Sequence, residues 1–199
     1  MNSSFRRPAQ LRPEQLEVLE GDVNIEARLE LAYTTARALV SLDQPGDPDV
    51  VERVHDLIDN EGIDVVAESW MDAPATSLPG ILWRGFLLRE WIRRFPEDAK
   101  MRYAAALAAG VESEGVPTLE QAKAEWDSVF SIDSSRKIVD VLRDSARLTD
   151  FLARVEPLWI ETDEHPLATE VTRRSTAMKR TSDEFREVGE ELKLASDLI

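Results

Sequence analysis

The chain has 199 residues, 43% of them hydrophobic and 32% charged, with 39 acidic against 24 basic side chains and a net charge of −15. That length suits one domain with a real core, and the apolar fraction argues against disorder throughout. The absence of cysteine excludes disulfides, thiolate nucleophiles, iron–sulfur clusters and most structural zinc sites, while the acidity argues against nonspecific nucleic-acid binding, which needs a cationic surface.

Residues 1–12 carry Arg6, Arg7 and Arg12 and no acidic residue; they read as a flexible basic tail. Met1 to Gln15 has no apolar secretory core, and no apolar run approaches the ~18 residues of a membrane span. A cytoplasmic protein without a membrane partner is therefore expected. A helix is predicted over 13–20, closed by Gly21. A second covers 23–42, with Asp22 or Asn24 as its cap. Its stripe is Ile25, Leu29, Ala32, Ala36 and Leu39. Asp43-Gln44-Pro45-Gly46 is a turn, and Pro48 opens the next helix at its first position. Val50, Val51, Val54, Leu57 and Ile58 form that helix's buried stripe, and Gly62 ends it.

Residues 63–71 read as a short helix and Asp72 to Ser77 as a loop. The most hydrophobic helix follows over 79–95, broken by Pro96. An alanine-rich helix over 97–109 would let a neighbouring helix approach closely. Gly110 and Gly115 mark a loop. Thr118 to Phe130 forms a helix with Leu119, Ala122, Trp126 and Val129 inward. Asp133 or Ser134 caps the next, which reaches Val155 through Ile138, Val141, Leu142, Leu148, Phe151 and Leu152. Glu156-Pro157 and His165-Pro166 are breaks, after which a long final helix is expected. Strict strand alternation and solenoid repeats are absent. The prediction is an all-α fold: a single bundle-like domain of about eight helices with a long C-terminal helix. Its parts are the flexible basic tail 1–12, an all-helical domain 13–160, and a long C-terminal helix, 161–199, packing on that domain or on a partner subunit.

No segment matches a catalytic, nucleotide-binding or phosphate-loop motif. Glu52 and His55 have the E-x-x-H spacing of di-iron bundles, but such sites need a second copy and two further glutamates. Asp56 to Gly62 fails as a calcium loop, since Leu57 falls where the first aspartate is required. No metal and no cofactor is expected.

Two segments stand out. In the helix over 79–95, Ile81, Leu87, Leu88, Trp91, Ile92 and Phe95 share a face, and Arg84 falls in its middle. Leu82, Trp83 and Phe86 make the first half apolar nearly all round, which implies burial on most sides. A buried guanidinium needs a carboxylate or several carbonyls, so Arg84 reads either as one half of a structural ion pair or as a clamp for an anionic ligand beside Trp83. From Arg84 to Arg102 there are six basic residues and three acidic ones, a net of +3 that leaves −18 for the remainder. Trp83, Arg84, Arg89, Trp91, Arg93 and Arg94 are thus candidates for an interface or ligand site, arginine beside tryptophan being the composition of interface hot spots. Glu156 to Glu170, with five carboxylates and no lysine or arginine, offers an acidic counterpart.

The second segment is the final helix. Val171, Met178, Phe185, Leu192 and Ile199 recur every seven residues, with Leu167, Val188 and Ala195 as companions. Arg174 and Thr181 interrupt the companion series, so the predicted packing seam is Phe185, Val188, Leu192 and Ile199.

The expected function is a non-enzymatic interaction or regulatory protein acting as a homodimer or with another protein. The alternative is a small-ligand-binding or enzymatic helical bundle with a pocket near Trp70, Trp83 and Arg84. A DNA-binding regulator is disfavoured, because the two N-terminal helices are acidic.

Overall fold

The computed structural model describes residues 13–40, 47–131, 137–155 and 175–197. The basic tail, the 43–46 turn, the candidate caps Asp133 and Ser134, and the segment from Glu156 to Arg174 lie outside the described residues. So do Val171 and Ile199.

Among the described residues the chain forms eight α-helices and no strand: α1 (Pro13–Leu39), α2 (Pro48–Glu61), α3 (Ile63–Glu68), α4 (Leu78–Arg94), α5 (Pro96–Ala108), α6 (Leu119–Val129), α7 (Ile138–Ala153) and α8 (Ser175–Asp197). The all-α reading stands.

The first two predicted helices are one. α1 runs through Gly21, so Asp22 and Asn24 lie inside a helix rather than at its start. A closing glycine commonly adopts a positive φ, and among the described residues the glycines that do so are Gly62, Gly110 and Gly115. In a helix interior glycine costs only about 1 kcal/mol relative to alanine, which a long helix tolerates. The α1 stripe also starts later than predicted. Ile25 is 56% exposed, and burial begins at Ala32.

Local chemistry explains the other boundaries. Asp47 caps α2 by accepting from the Asp49 backbone N–H at 3.1 Å, and Pro48 follows where no N–H is missed. Gly62, at φ 92°, ends α2 and leads directly into α3. Ser77 caps α4 through its Oγ, which accepts from the Gly80 N–H at 3.2 Å. Thr118 and Gln121 form a reciprocal capping box at the start of α6. α7 begins with Lys137 at the cap position and no side-chain capping bond.

α4 is the central element. It packs against α1, α3, α5, α6 and α8, as expected of a helix apolar nearly all round. Gly85 is what lets α6 approach: a Cβ there would lie 2.2 Å from the Trp126 ring. A relay of aromatic rings fills the space between helices. Trp126 stands 5.5 Å from Phe130 and 5.9 Å from Phe185, and Phe130 stands 6.1 Å from Trp70. The two fully buried indoles among the described residues are satisfied, Trp70 Nε1 donating to Thr35 Oγ1 and Trp126 Nε1 to Ser145 Oγ, each at 2.9 Å.

α7 and α8 pack antiparallel. Ser175 Oγ donates to the Val155 carbonyl at 2.7 Å, Lys179 Nζ pairs with Asp150 at 2.9 Å, and Ser182 Oγ donates to the Ala146 carbonyl at 2.9 Å. Arg102 of α5 fastens one end of this pair. Its Nε donates to the Leu152 carbonyl at 2.9 Å, and its Nη2 reaches the Val155 carbonyl and Ser175 Oγ, both at 3.3 Å. The guanidinium thereby satisfies carbonyls at the α7 C-terminus, where helical acceptors lack partners.

The α8 seam begins earlier than predicted. Met178, Thr181, Phe185 and Val188 are buried, Leu192 is half-buried, and Ala195 is exposed. Thr181 does not spoil the first half, because neighbouring Ser182 places its hydroxyl on an α7 carbonyl and holds the backbones close. The alanine face of α5 is used only at Ala99 and Ala106; Met101 and Leu107 are about half exposed.

Candidate functional site

The predicted arginines and tryptophans of α4 separate into three groups. Trp83 and Trp91 are core residues, 6% and 4% exposed. Trp83 stacks on Phe86 at 5.5 Å. Arg84 leaves the α4 surface toward α8, where its Nε donates to Glu184 Oε2 at 2.9 Å. Both side chains are nearly buried. Trp70, Trp83 and Arg84 line none of the clefts described below.

Arg89, Arg93 and Arg94 form the third group. They converge on Glu90, whose side chain is only 7% exposed. Arg93 holds it by two bonds, from Nε at 2.9 Å and Nη2 at 2.6 Å. Arg94 Nε donates at 2.6 Å and Arg89 Nη1 at 2.8 Å. The α4 register brings Arg93 and Arg94 there, because residues three and four positions on share a helix face, and Arg89 reaches Glu90 as its neighbour in the chain. Arg89 also reaches α6, donating from Nε to Asp127 Oδ1 at 2.6 Å, and Lys123 Nζ donates to the other Asp127 oxygen at 2.6 Å. Arg94 Nη2 lies 3.6 Å from Asp64 at the start of α3.

The electrostatics follow from that geometry. Burial alone would raise the Glu90 carboxyl, but the hydrogen bonds and charges of Arg93 and Arg94 hold it below the ordinary range. Asp127 behaves alike: burial opposes ionisation, and Lys123 and Arg89 more than offset it. The Arg93 guanidinium is raised, chiefly by its bonds to Glu90. Counting Arg89, Arg93, Arg94 and Lys123 against Glu90, Asp127 and Asp64, the cluster carries +1 inside a chain of −15.

This cluster borders a cleft of about 350 Å³ where the α2–α3 turn meets α4 and α6, lined by Ile58, Gly62, Ile63, Asp64, Arg89, Arg93, Asp127 and Phe130. A guanidinium has five N–H donors. Arg93 uses two on Glu90, and Arg89 uses one on Glu90 and one on Asp127. Among the described residues, three N–H donors of each fork carry no hydrogen bond, and Arg89 is 18% exposed. Arg93 remains 46% exposed. The arrangement suits an anion beside an apolar wall.

Two larger clefts exist. One, of about 630 Å³, is lined by Pro117, Gln121, Arg143, Asp144 and Arg147 among others; the second, of about 450 Å³, by Val111, Arg147, Asp150, Arg154 and Arg186 among others. Their arginines are about half exposed and pair with carboxylates one turn away on their own helices. Such solvated pairs contribute little; Asp144, 17% exposed, stands 3.4 Å from Arg143 and 3.7 Å from Arg147 in the first cleft, longer than the 2.6–2.9 Å bonds to Glu90. Size therefore does not select the site.

The structure places the seam residues Phe185 and Val188 against α7 and the core of the same chain, with Leu192 at the margin. Reading the sequence missed Asp64, Lys123, Asp127 and Phe130. The bonds of Arg93 and Arg94 to Glu90 were legible as positions three and four apart on one helix. The Asp127 bridge joins residues 38 apart in sequence and carried no local signal. Among the described residues no helix is long and apolar enough to cross a membrane. No protein-family model, curated protein or solved structure matches the chain.

Proposed function

We propose that this chain is a non-enzymatic interaction protein whose recognition surface is the cleft bordered by Arg89 and Arg93, and that it engages an acidic group of a partner there. The observation that carries the reading is the organisation of the two guanidiniums. A buried carboxylate, Glu90, fixes both in place, and Arg93 keeps 46% of its side chain exposed. Pre-ordering of this kind lowers the cost of immobilising side chains on association. The +1 of the wider cluster that borders the cleft, on an acidic molecule, also favours the approach of an acidic patch.

Self-association stays a proposal of the same class. The apolar stripe of α8 is used against α7 within the chain, so a homodimer would join through another surface, and the arginine cleft facing the acidic surface of a second copy is one such arrangement.

The test is affinity capture from a native extract with wild type and Arg93→Glu side by side. The reading predicts a set of bound proteins, or additional copies of this chain, that is lost with the variant. An identical captured set for both would reject it.

A further inference from the structure

Resting on that reading, we propose that the cleft takes one carboxylate, the aspartate or glutamate side chain of a protein partner flanked by an apolar residue, in preference to a phosphate group.

The charge inventory is the first argument. The charged lining of the cleft, Arg89 and Arg93 against Asp64 and Asp127, is balanced, and the +1 of the wider cluster comes from Arg94 and Lys123 against Glu90, so one added negative charge is the most that the surroundings offset. A phosphate monoester carries about −1.5 to −2 near neutral pH. It would bring excess negative charge beside Asp64 and Asp127, which line the same cleft. The second argument is shape. Planar guanidinium edges match a carboxylate through paired N–H donors, a geometry that phosphate oxygens also accept, so shape admits the carboxylate and the charge and the lining set the preference. Arg93 already shows this mode on Glu90, with bonds of 2.9 Å and 2.6 Å to its two oxygens. The third is the lining: Ile58, Ile63 and Phe130 supply an apolar wall that would bury an aliphatic neighbour of the acid. A free inorganic anion would gain nothing from that wall. The volume of about 350 Å³ lies at the small end of ligand sites, the scale of a side chain or two.

The experiment titrates the full ¹⁵N-labelled chain with three probes: the acetylated, amidated tripeptides Leu-Glu-Leu and Leu-Gln-Leu, and inorganic phosphate. Gly62 and Ile63 amides and the Arg89 and Arg93 Nε–H signals are followed. Saturable shifts there are expected with the glutamate peptide, at least about tenfold weaker with the glutamine peptide. They should be lost in Arg93→Ala, weakened in Arg93→Lys and retained in Arg143→Ala. Phosphate shifting the same signals as tightly, or the two peptides binding equally, would overturn the carboxylate assignment and leave the cleft as a partner surface. No response to any probe overturns the inference alone if capture depends on Arg93, and overturns the function reading with it if capture does not.

Discussion

Arg84 and Glu184 stand 100 residues apart in sequence, and Arg84 Nε donates to Glu184 Oε2 at 2.9 Å. The pair ties the central helix α4 to the last helix α8 in a nearly buried setting. Removing one partner of such a pair leaves the other charge poorly solvated. Glu184→Ala should therefore destabilise the fold by about 2–4 kcal/mol, read from urea denaturation. A double-mutant cycle with Arg84→Met should return a coupling of about 1–3 kcal/mol. Strict additivity of the two substitutions would show that the pair contributes nothing.

Gly85 is the contact point of α4 and α6. A methyl group there would meet three atoms of the buried Trp126 ring at 2.2–2.3 Å, closer than side chains can adjust without moving a helix. Gly85→Ala should cost about 3 kcal/mol, although alanine favours an isolated helix by about 1 kcal/mol. Thermal unfolding with near-ultraviolet circular dichroism checks both the loss and the altered tryptophan packing. A stabilised Gly85→Ala protein would contradict the close approach.

The indole N–H of Trp126 has its acceptor in Ser145 Oγ at 2.9 Å, in the buried core. Ser145→Ala leaves that donor without the hydroxyl and should cost about 1–2 kcal/mol. Ser131→Ala, at an exposed position, should stay within about 0.5 kcal/mol. Chemical denaturation of the two variants side by side gives the comparison; equal, small effects would mean the bond is not stabilising.

Glu90 makes the fold sensitive to acid, and the sign follows from its lowered folded-state value. Near and below the ordinary value of 4.5 the unfolded chain binds this proton before the folded chain does. The Glu90 contribution is thus complete above that value and is lost as pH falls through the depressed folded one. Asp127, Asp150 and Asp183 are lowered too and act in the same direction. In Glu90→Gln the loss of stability between neutral pH and about pH 3.5 should be smaller than in wild type, because the substituted side chain does not titrate. Urea midpoints across that range test this; an unchanged slope would remove Glu90 from the acid response.

How far the sequence discloses this molecule depends on how local each signal is. Helical periodicity, prolines at first turns and capping residues are short-range, so α2, α4 and α6 were legible within a residue or two. Gly21 misled because its φ is decided by the helix on both sides and not by composition. The α8 stripe was legible from Phe185 and Val188, but its extension to Met178 and Thr181 depends on where α7 lies, and Ala146 accepting from Ser182 has no sequence signature. At the site, Arg84 and the arginines from 89 to 94 stood out by charge and burial arguments. The division of labour among them did not: Arg84 faces α8, while Arg89 bridges to Asp127 on α6. Tertiary geometry alone sets both.

The central claim is that the Arg89 and Arg93 cleft recognises an acidic residue of a partner. A reciprocal charge swap tests it most directly, using a partner captured by wild type, its acidic contact located by cross-linking, and Kd values for all four pairings. Arg93→Glu against the unaltered partner should lose at least about tenfold in affinity, and replacing the partner's acidic residue by lysine should restore much of it. Equal affinity of wild type and Arg93→Glu, or no recovery in the swapped pair, would contradict the claim.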